Sequence, residues 1–232
     1  MNLVNRAKSF IIRTIRVATG RMKARKKGIS FYPPNYIYFN RLNTNSIVVD
    51  VGCADDPDYS EHIINTHGCK CYGVDPTKKH FNALSIVENK YKGLFFHLPY
   101  AVVNQSGKIY FHESVENASG SILNDHVNIK KDEVVTYEVE ALSIPDLKNR
   151  IGSQIDILKL DLEGAEFGLI ENLNREDLVD IDQIFIEFHH HCIDRYSLTD
   201  TTRLVNKLES FGFSSFSLDG VNFLFYKEND TD

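Results

Sequence analysis

Apolar and polar residues alternate along this chain in two rhythms, one with the period of a strand and one with the period of a helix. From Ser46 onward the two take turns. SIVVDVG supplies a β-branched run, Ile47, Val48, Val49 and Val51, which predicts a central strand. PDYSEHIINT predicts a helix, with Pro57 suited to open it. CKCYGVD predicts a second strand, TKKHFNALSIVENKY a helix, and GLFFHLPYAVV a third strand. KIYFHE and VVTYEVE have period-two alternation and predict a β-insertion or ribbon, separated by a polar segment over 114–132. ALSIPDLKNR predicts a short helix, IDILKLD a buried parallel strand, and AEFGLIENL another helix. DQIFIEFHH is a further strand, LTDTTRLVNKLESFG a helix ending at Gly212, and FSSFSLDG with VNFLFYK a hairpin turning at Asp219–Gly220. Such β-α alternation fits any doubly wound α/β fold. Upstream, YPPNYIYFN reads as a linker, because Pro33 and Pro34 rule out a helix there. The expected division is an extension and linker over 1–40 and one domain over 41–232.

Composition adds an asymmetry. The first 30 residues hold nine of the 26 basic side chains and no Asp or Glu, while the other 202 carry a balance of −15. Leu3, Val4, Ala7, Phe10, Ile11, Thr14, Ile15 and Ala18 recur at helical spacing between these Arg and Lys residues, which predicts a basic amphipathic helix. Three roles stay open for residues 1–30: contact with an anionic membrane, contact with an acidic partner, or docking on the acidic body. An organelle presequence has a similar composition. The arm is expected to be separable from the rest. No apolar run approaches the ~18 residues needed to span a bilayer, and no signal-peptide core is seen. Cys53, Cys69, Cys71 and Cys192 form no C-x-x-C, so reduced thiols, a cytoplasmic location and no cysteine zinc site are expected.

The candidate chemistry gathers where predicted strands stop. Asp50 and Gly52 end the first strand, and a glycine turn there lets backbone N–H groups approach a nucleotide-like ligand. Asp55 and Asp56 follow, and two carboxylates would repel a pyrophosphate. Asp75 ends the second strand 23 residues after Gly52, close to the roughly 20-residue spacing of a ribose-binding carboxylate. Asp161, Glu163 and Glu166 crowd the end of the fourth strand, an edge where acidic groups do little for packing. The plain alternative is a strand–turn–helix with a charged helix start. Glu187, His189, His190 and His191 end the fifth, with Glu187 and His189 expected on one face.

These motifs carry a resemblance. D-V-G at Asp50–Gly52, V-D-P at Val74–Pro76 and K-L-D-L-E-G-A-E at Lys159–Glu166 resemble those of the FkbM family of S-adenosylmethionine (SAM) dependent methyltransferases. A-V-V-N-Q-S-G-K at Ala101–Lys108 and I-E-F-H at Ile186–His189 add weaker support, and the likeness covers about Ser46 to Tyr226. Two positions depart: the later glycine of the first motif is missing, and Leu142 is followed by Ser143 where the family often has Asp. The resemblance implies a Rossmann-like sheet of seven strands, mostly parallel with an antiparallel last strand. It implies SAM as cofactor, with contacts expected at Asp50, Gly52, Asp75, Ala101 and Asp161. The implied reaction is methyl transfer to a hydroxyl of a glycan or secondary metabolite. Two readings of the chemistry compete. In one, His189 is a neutral base oriented by Asp161 or Glu187. In the other, Asp161, Glu187 and His189 help bind a divalent metal that lowers the acceptor's pKa. The first is preferred, and a third reading makes these polar residues at a solvent-facing strand end. A degenerate binding module and an RNA methyltransferase are the alternative functions. Nucleic acid is disfavoured, because the body is acidic. A nicotinamide-dependent reductase lacks its glycine-rich phosphate turn here.

Overall fold

The computed structural model describes residues 19–152 and 154–228, so most of the expected basic helix lies outside the described residues. Residues 19–26 are helical (α1). Next comes a hairpin, β1 (Ile29–Tyr32) and β2 (Tyr36–Phe39), where a linker was expected. The two prolines sit in its connection, where no ladder hydrogen bond is needed from them. The hairpin is not an appendage. Ala24, Ile29, Ile37 and Phe39 pack in one cluster with Phe185, Leu224 and Tyr226. The Gln183 side chain clasps Phe39 through both the backbone N–H (2.6 Å) and the carbonyl (3.2 Å). Truncation through Tyr32 strips Ala24 and Ile29 from that cluster and leaves β2 without its partner. At about 1.5–3 kcal/mol per buried apolar side chain, the melting temperature is expected to fall by roughly 10 °C or more. A melt by circular dichroism that matches the full chain would restore the separable arm.

The main sheet holds β3 (Ile47–Val51), β4 (Lys70–Val74), β5 (Phe95–Leu98), β10 (Ile155–Leu160), β11 (Ile181–Glu187), β12 (Ser214–Ser217) and β13 (Asn222–Tyr226). Their order is β12-β13-β11-β10-β3-β4-β5, and β13 alone runs opposite to the other six, as expected of the last strand. The chain steps outward from β3 to β5 and then returns to β10, so the switch point lies between β3 and β10. Alternate residues of these strands feed two cores. Val49, Val51, Leu158 and Leu160 belong to one, Val48 and Ile157 to the other, so both faces are covered. Helices α2 (Asp58–His67), α3 (Phe81–Lys90), α5 (Ile144–Ile151), α6 (Glu166–Asn172) and α7 (Leu198–Ser210) connect the strands.

Between β5 and α5 lies the insertion, a second sheet in the order β6-β9-β7-β8. It comprises β6 (Ala101–Val102), β7 (Gly107–Ser114), β8 (Gly120–Ser121) and β9 (Val134–Leu142), with a short helix α4 (Val127–Lys130). The expected third strand is therefore two: Pro99, which has no N–H to donate, falls between β5 and β6, and the chain changes sheet there. Ala141 and Leu142 end β9 instead of opening a helix. Ser143 is the cap, its hydroxyl accepting from the Asp146 N–H at 3.2 Å. Among the described residues, no helix is long and apolar enough to cross a membrane.

Candidate active site

The turn after β3 is pinned by contact with the turn after β10. Gly52 has φ +75°, donates its N–H to the Val74 carbonyl at 2.9 Å, and leaves no room for a side chain. A Cβ there would lie 1.8 Å from the Asp161 carbonyl oxygen. Two residues on, Ala54 also takes a left-handed backbone (φ +54°) and donates its N–H to Asp75 Oδ2 at 2.9 Å. Asp75 Oδ1 accepts from the Thr77 N–H at 2.8 Å and lies 3.5 Å from His80 Nδ1. Burial pushes the Asp75 carboxyl up, but the hydrogen bonds from His80 and Thr77 and the charge on His80 outweigh it and hold it low. Asp75 is thus a buried carboxylate that joins the ends of β3 and β4 and still faces the cleft.

Asp50 behaves differently from expectation. It pairs in register with Lys159 on β10, so the two side chains share a face of the sheet. Lys159 Nζ lies 2.9 Å from Asp50 Oδ1 and 3.6 Å from Asp161 Oδ2, and it donates to the Gly52 carbonyl at 3.3 Å. Ser60 donates to Asp50 Oδ2 at 2.8 Å. Burial disfavours the lysine's charge, but the Asp50 and Asp161 carboxylates win and hold its pKa above the usual range. Asp50 therefore supports the turn from below and is absent from the cleft lining.

The second group surrounds His189. Buried Glu166 receives both the His189 backbone N–H (2.8 Å) and Nδ1 (3.2 Å) on Oε1, and the Gly164 N–H on Oε2 (2.8 Å). That clasp turns His189 Nε2 toward Asp161 Oδ1 at 3.6 Å and Glu163 Oε2 at 3.8 Å. Glu163, held at φ +50°, also has His126 Nε2 2.8 Å from Oε2, and it accepts from the Ser119 hydroxyl at 2.9 Å on Oε1. Burial raises Glu163, but its bond from His126 and the His189 charge bring it below the ordinary range. Burial pushes Asp161 up; Lys159 and His189 oppose this, and Glu163 and Glu166 add to it. For His189, burial opposes the charge, yet the Glu166 bond and the Glu166, Asp161 and Glu163 carboxylates push its pKa up to about 10. The base role expected of His189 thus meets a setting of three carboxylates that favours its protonated form.

Glu187 joins neither group by contact. The strand stops at this residue, so the alternation expected to bring Glu187 and His189 to one face does not continue. Glu187 lines a second, wider cleft with Tyr32, Tyr36, Arg25, His191 and Asn222. Burial, with the nearby Asp161 charge, pushes its carboxyl up to about 7. His190 turns away, its Nδ1 2.9 Å from the Thr201 hydroxyl.

Between the two groups runs the main cleft. Gly52, Asp75, Ala101 and Asp161, four of the residues named as cofactor contacts, line it. Val74, Val102, Phe111 and Ile122 make its apolar wall, and Ser119, Ser121 and Glu163 add polar groups. Among the described residues, no Lys, Arg or His lines it. Phe111, Ser119 and Ser121 come from the insertion, as does His126. No sequence signal marks Ser119, Ser121 or His126, because the polar segment 114–132 has no periodicity to place a side chain.

Comparison with known proteins agrees with this layout. The model of the Methyltransferase FkbM domain matches residues 9–215. Two curated relatives are described as probable methyltransferase-like protein 24. The Rattus norvegicus protein is 27% identical over 185 residues, covering 70% of this chain and 47% of its own length. The Homo sapiens protein is 27% identical over 171 residues, covering 66% and 43%. The chain thus spans about half the length of the curated relatives it matches. Among solved structures, the Methanococcus jannaschii fibrillarin pre-rRNA processing protein gives a TM-score of 0.50 at 12% identity, over 89% of this chain and 74% of that one. At that identity the likeness is one of fold.

Proposed function

The chain belongs to the FkbM methyltransferase family, and from that premise we propose that it transfers a methyl group from SAM to a hydroxyl of a glycan or secondary metabolite. One observation carries the reading: a cleft at the switch point of the sheet, lined by three carboxylates and by no cationic side chain among the described residues. A phosphate-bearing dinucleotide would meet repulsion there. A nucleoside carrying a sulfonium cation fits the same lining. When bound, SAM supplies a methyl group activated by that sulfonium. Asp75 has lone pairs left to accept from ribose hydroxyls. Val74, Val102 and Phe111 suit an adenine ring, and Asp161 and Glu163 suit the cationic end.

The acceptor reading draws support from the second cleft. Tyr32 and Tyr36 offer aromatic faces to a sugar ring or polyketide, and Asn222 and Glu187 offer hydrogen bonds to its hydroxyls. The step needs an oxygen nucleophile held about 3 Å from the methyl carbon, and positioning supplies much of the rate. Asp161, on the wall of the main cleft, is the group placed to receive the hydroxyl's hydrogen bond. His189 acts through it as a positioning residue, fixed by Glu166.

Asp75→Ala is expected to weaken SAM binding by roughly 1–3 kcal/mol, the scale of hydrogen bonds to a charged group. Asp161→Asn should cut kcat by about 10²–10⁴-fold, with a smaller loss of SAM affinity because the same carboxylate faces the cationic end. Calorimetry and methyl transfer to a panel of glycans and hydroxylated metabolites test both. A folded wild-type chain that binds neither SAM nor S-adenosylhomocysteine would sink the reading. Methylation of RNA alone would replace the acceptor class.

A further inference from the structure

We infer that His126, Glu163 and His189 form a binding site for one divalent first-row transition ion, of the zinc type, set in the wall of the methyl-transfer cleft. The three come from separate parts of the chain: the insertion, the turn after β10, and the segment after β11. Each offers one ligand atom, and the three atoms lie within 4.8 Å of one another. Bonds of about 2.0–2.1 Å in a tetrahedral zinc site place neighbouring ligand atoms roughly 3.3 Å apart. Glu163 Oε2 is 2.8 Å from His126 Nε2 and 3.8 Å from His189 Nε2, so the observed spacings bracket that value. Rotamer-scale adjustment closes the set around an ion.

The outer contacts match what a metal-ligating histidine needs. His189 gives its other nitrogen to a carboxylate, Glu166 Oε1 at 3.2 Å, and Glu166 is itself fixed by the Gly164 N–H. A carboxylate on the far nitrogen sets ring orientation and raises ligand basicity. The free oxygen of Glu163 is held by the Ser119 hydroxyl at 2.9 Å. Charge points the same way. Asp50 and Lys159 cancel in their own pair. Asp161, Glu163 and Glu166 then set three carboxylates beside His189, with Glu163 also against His126.

Two imidazoles and one carboxylate form a borderline donor set that suits zinc and its neighbours, whereas magnesium and calcium prefer oxygen ligands. Three protein ligands leave a position open, the arrangement of catalytic zinc. Glu163 and Asp161 both line the cleft, and Asp161 Oδ1 is 3.6 Å from His189 Nε2. The open position thus faces the place where the acceptor hydroxyl is expected. There a divalent ion would lower the hydroxyl's pKa. This catalytic role rests on the proposed function; the site itself does not.

The test uses the full chain, stripped with a chelator and titrated calorimetrically with zinc chloride. One-to-one binding is expected. The His126→Asn and Glu163→Gln variants should each bind at least ~100-fold more weakly, since even loss of an outer contact costs 10–100-fold. Cobalt(II) added to the stripped wild type should give the visible bands of a low-coordinate site, a readout that needs no variant. Absent stoichiometric zinc binding, or binding and cobalt bands undiminished in both variants, overturns the site. In the second case the ion would be held elsewhere, and the observed His126–Glu163 contact would be an ordinary hydrogen-bonding contact. S-adenosylhomocysteine affinity, measured on the same stripped chain, separates the two readings. If it binds and zinc does not, only the metal site fails; the converse leaves the site standing and removes the cofactor assignment.

Discussion

Replacing Gly52 with alanine is expected to abolish cofactor binding and to destabilise the protein by roughly 3–5 kcal/mol. Two costs combine. The residue sits at φ +75°, a conformation that costs an L side chain of order 1–3 kcal/mol. The added Cβ would also fall 1.8 Å from the Asp161 carbonyl, so the turns after β3 and β10 must part. Backbone cannot yield there as a flexible side chain would, because the Gly52 N–H and the Asp161 N–H are both spent on neighbouring strands. Separation moves Asp161 away from the cleft and loosens the Ala54 bond that orients Asp75. Urea unfolding and S-adenosylhomocysteine calorimetry check the two halves. A variant with wild-type stability and affinity would mean the turns are free to shift.

The other large effect concerns Lys159. Lys159→Met is expected to cost about 3–5 kcal/mol, since removing one member of a buried ion pair strands the other. Side-chain exposure is only 2% for Lys159 and 1% for Asp50, so water cannot replace the lost partner. The double variant Asp50→Asn/Lys159→Met should recover much of the loss, because replacing both members avoids the stranded charge. A denaturation double-mutant cycle reads this directly. If Lys159→Met alone unfolds like wild type, the pair is not what secures the turn. Asp50→Asn should leave the cofactor in place, in contrast to the role the strand-end pattern assigned to this residue.

That contrast shows where reading the sequence succeeds and where it stops. Apolar runs marked the strands of the main sheet, most plainly β3, β10 and β11, because burial on both faces leaves a continuous apolar signature. The same runs located Gly52, Asp75 and Asp161, which stand where such strands end. They did not separate Asp50 from Asp75. Both are strand-end aspartates, and only the register of β3 against β10, with Lys159 opposite, turns the first inward. The β1–β2 hairpin was hidden by its two prolines, which mark a turn as readily as a linker. His126 was hidden more thoroughly. It reaches the site through contacts made across 37 residues of chain to Glu163, and a polar stretch without period carries no trace of them. For His189 a single orienting carboxylate was expected, whereas Glu166, Asp161 and Glu163 all approach it in the fold.

The insertion has a practical consequence for engineering. Its strands β7, β8 and β9 pair with one another and with β6, not with the seven-stranded sheet. Segment 107–140 is therefore a cassette with its own hydrogen-bond ladder. Exchanging it for a homologous one would alter none of the backbone ladder of the seven-stranded sheet. Yet this cassette carries Phe111, Ser119 and Ser121 over the cleft, and His126 beside Glu163. Shuffling it among family members would vary one wall of the cleft while the strand-end wall with Gly52, Asp75 and Asp161 stays constant, a difference that selection can screen.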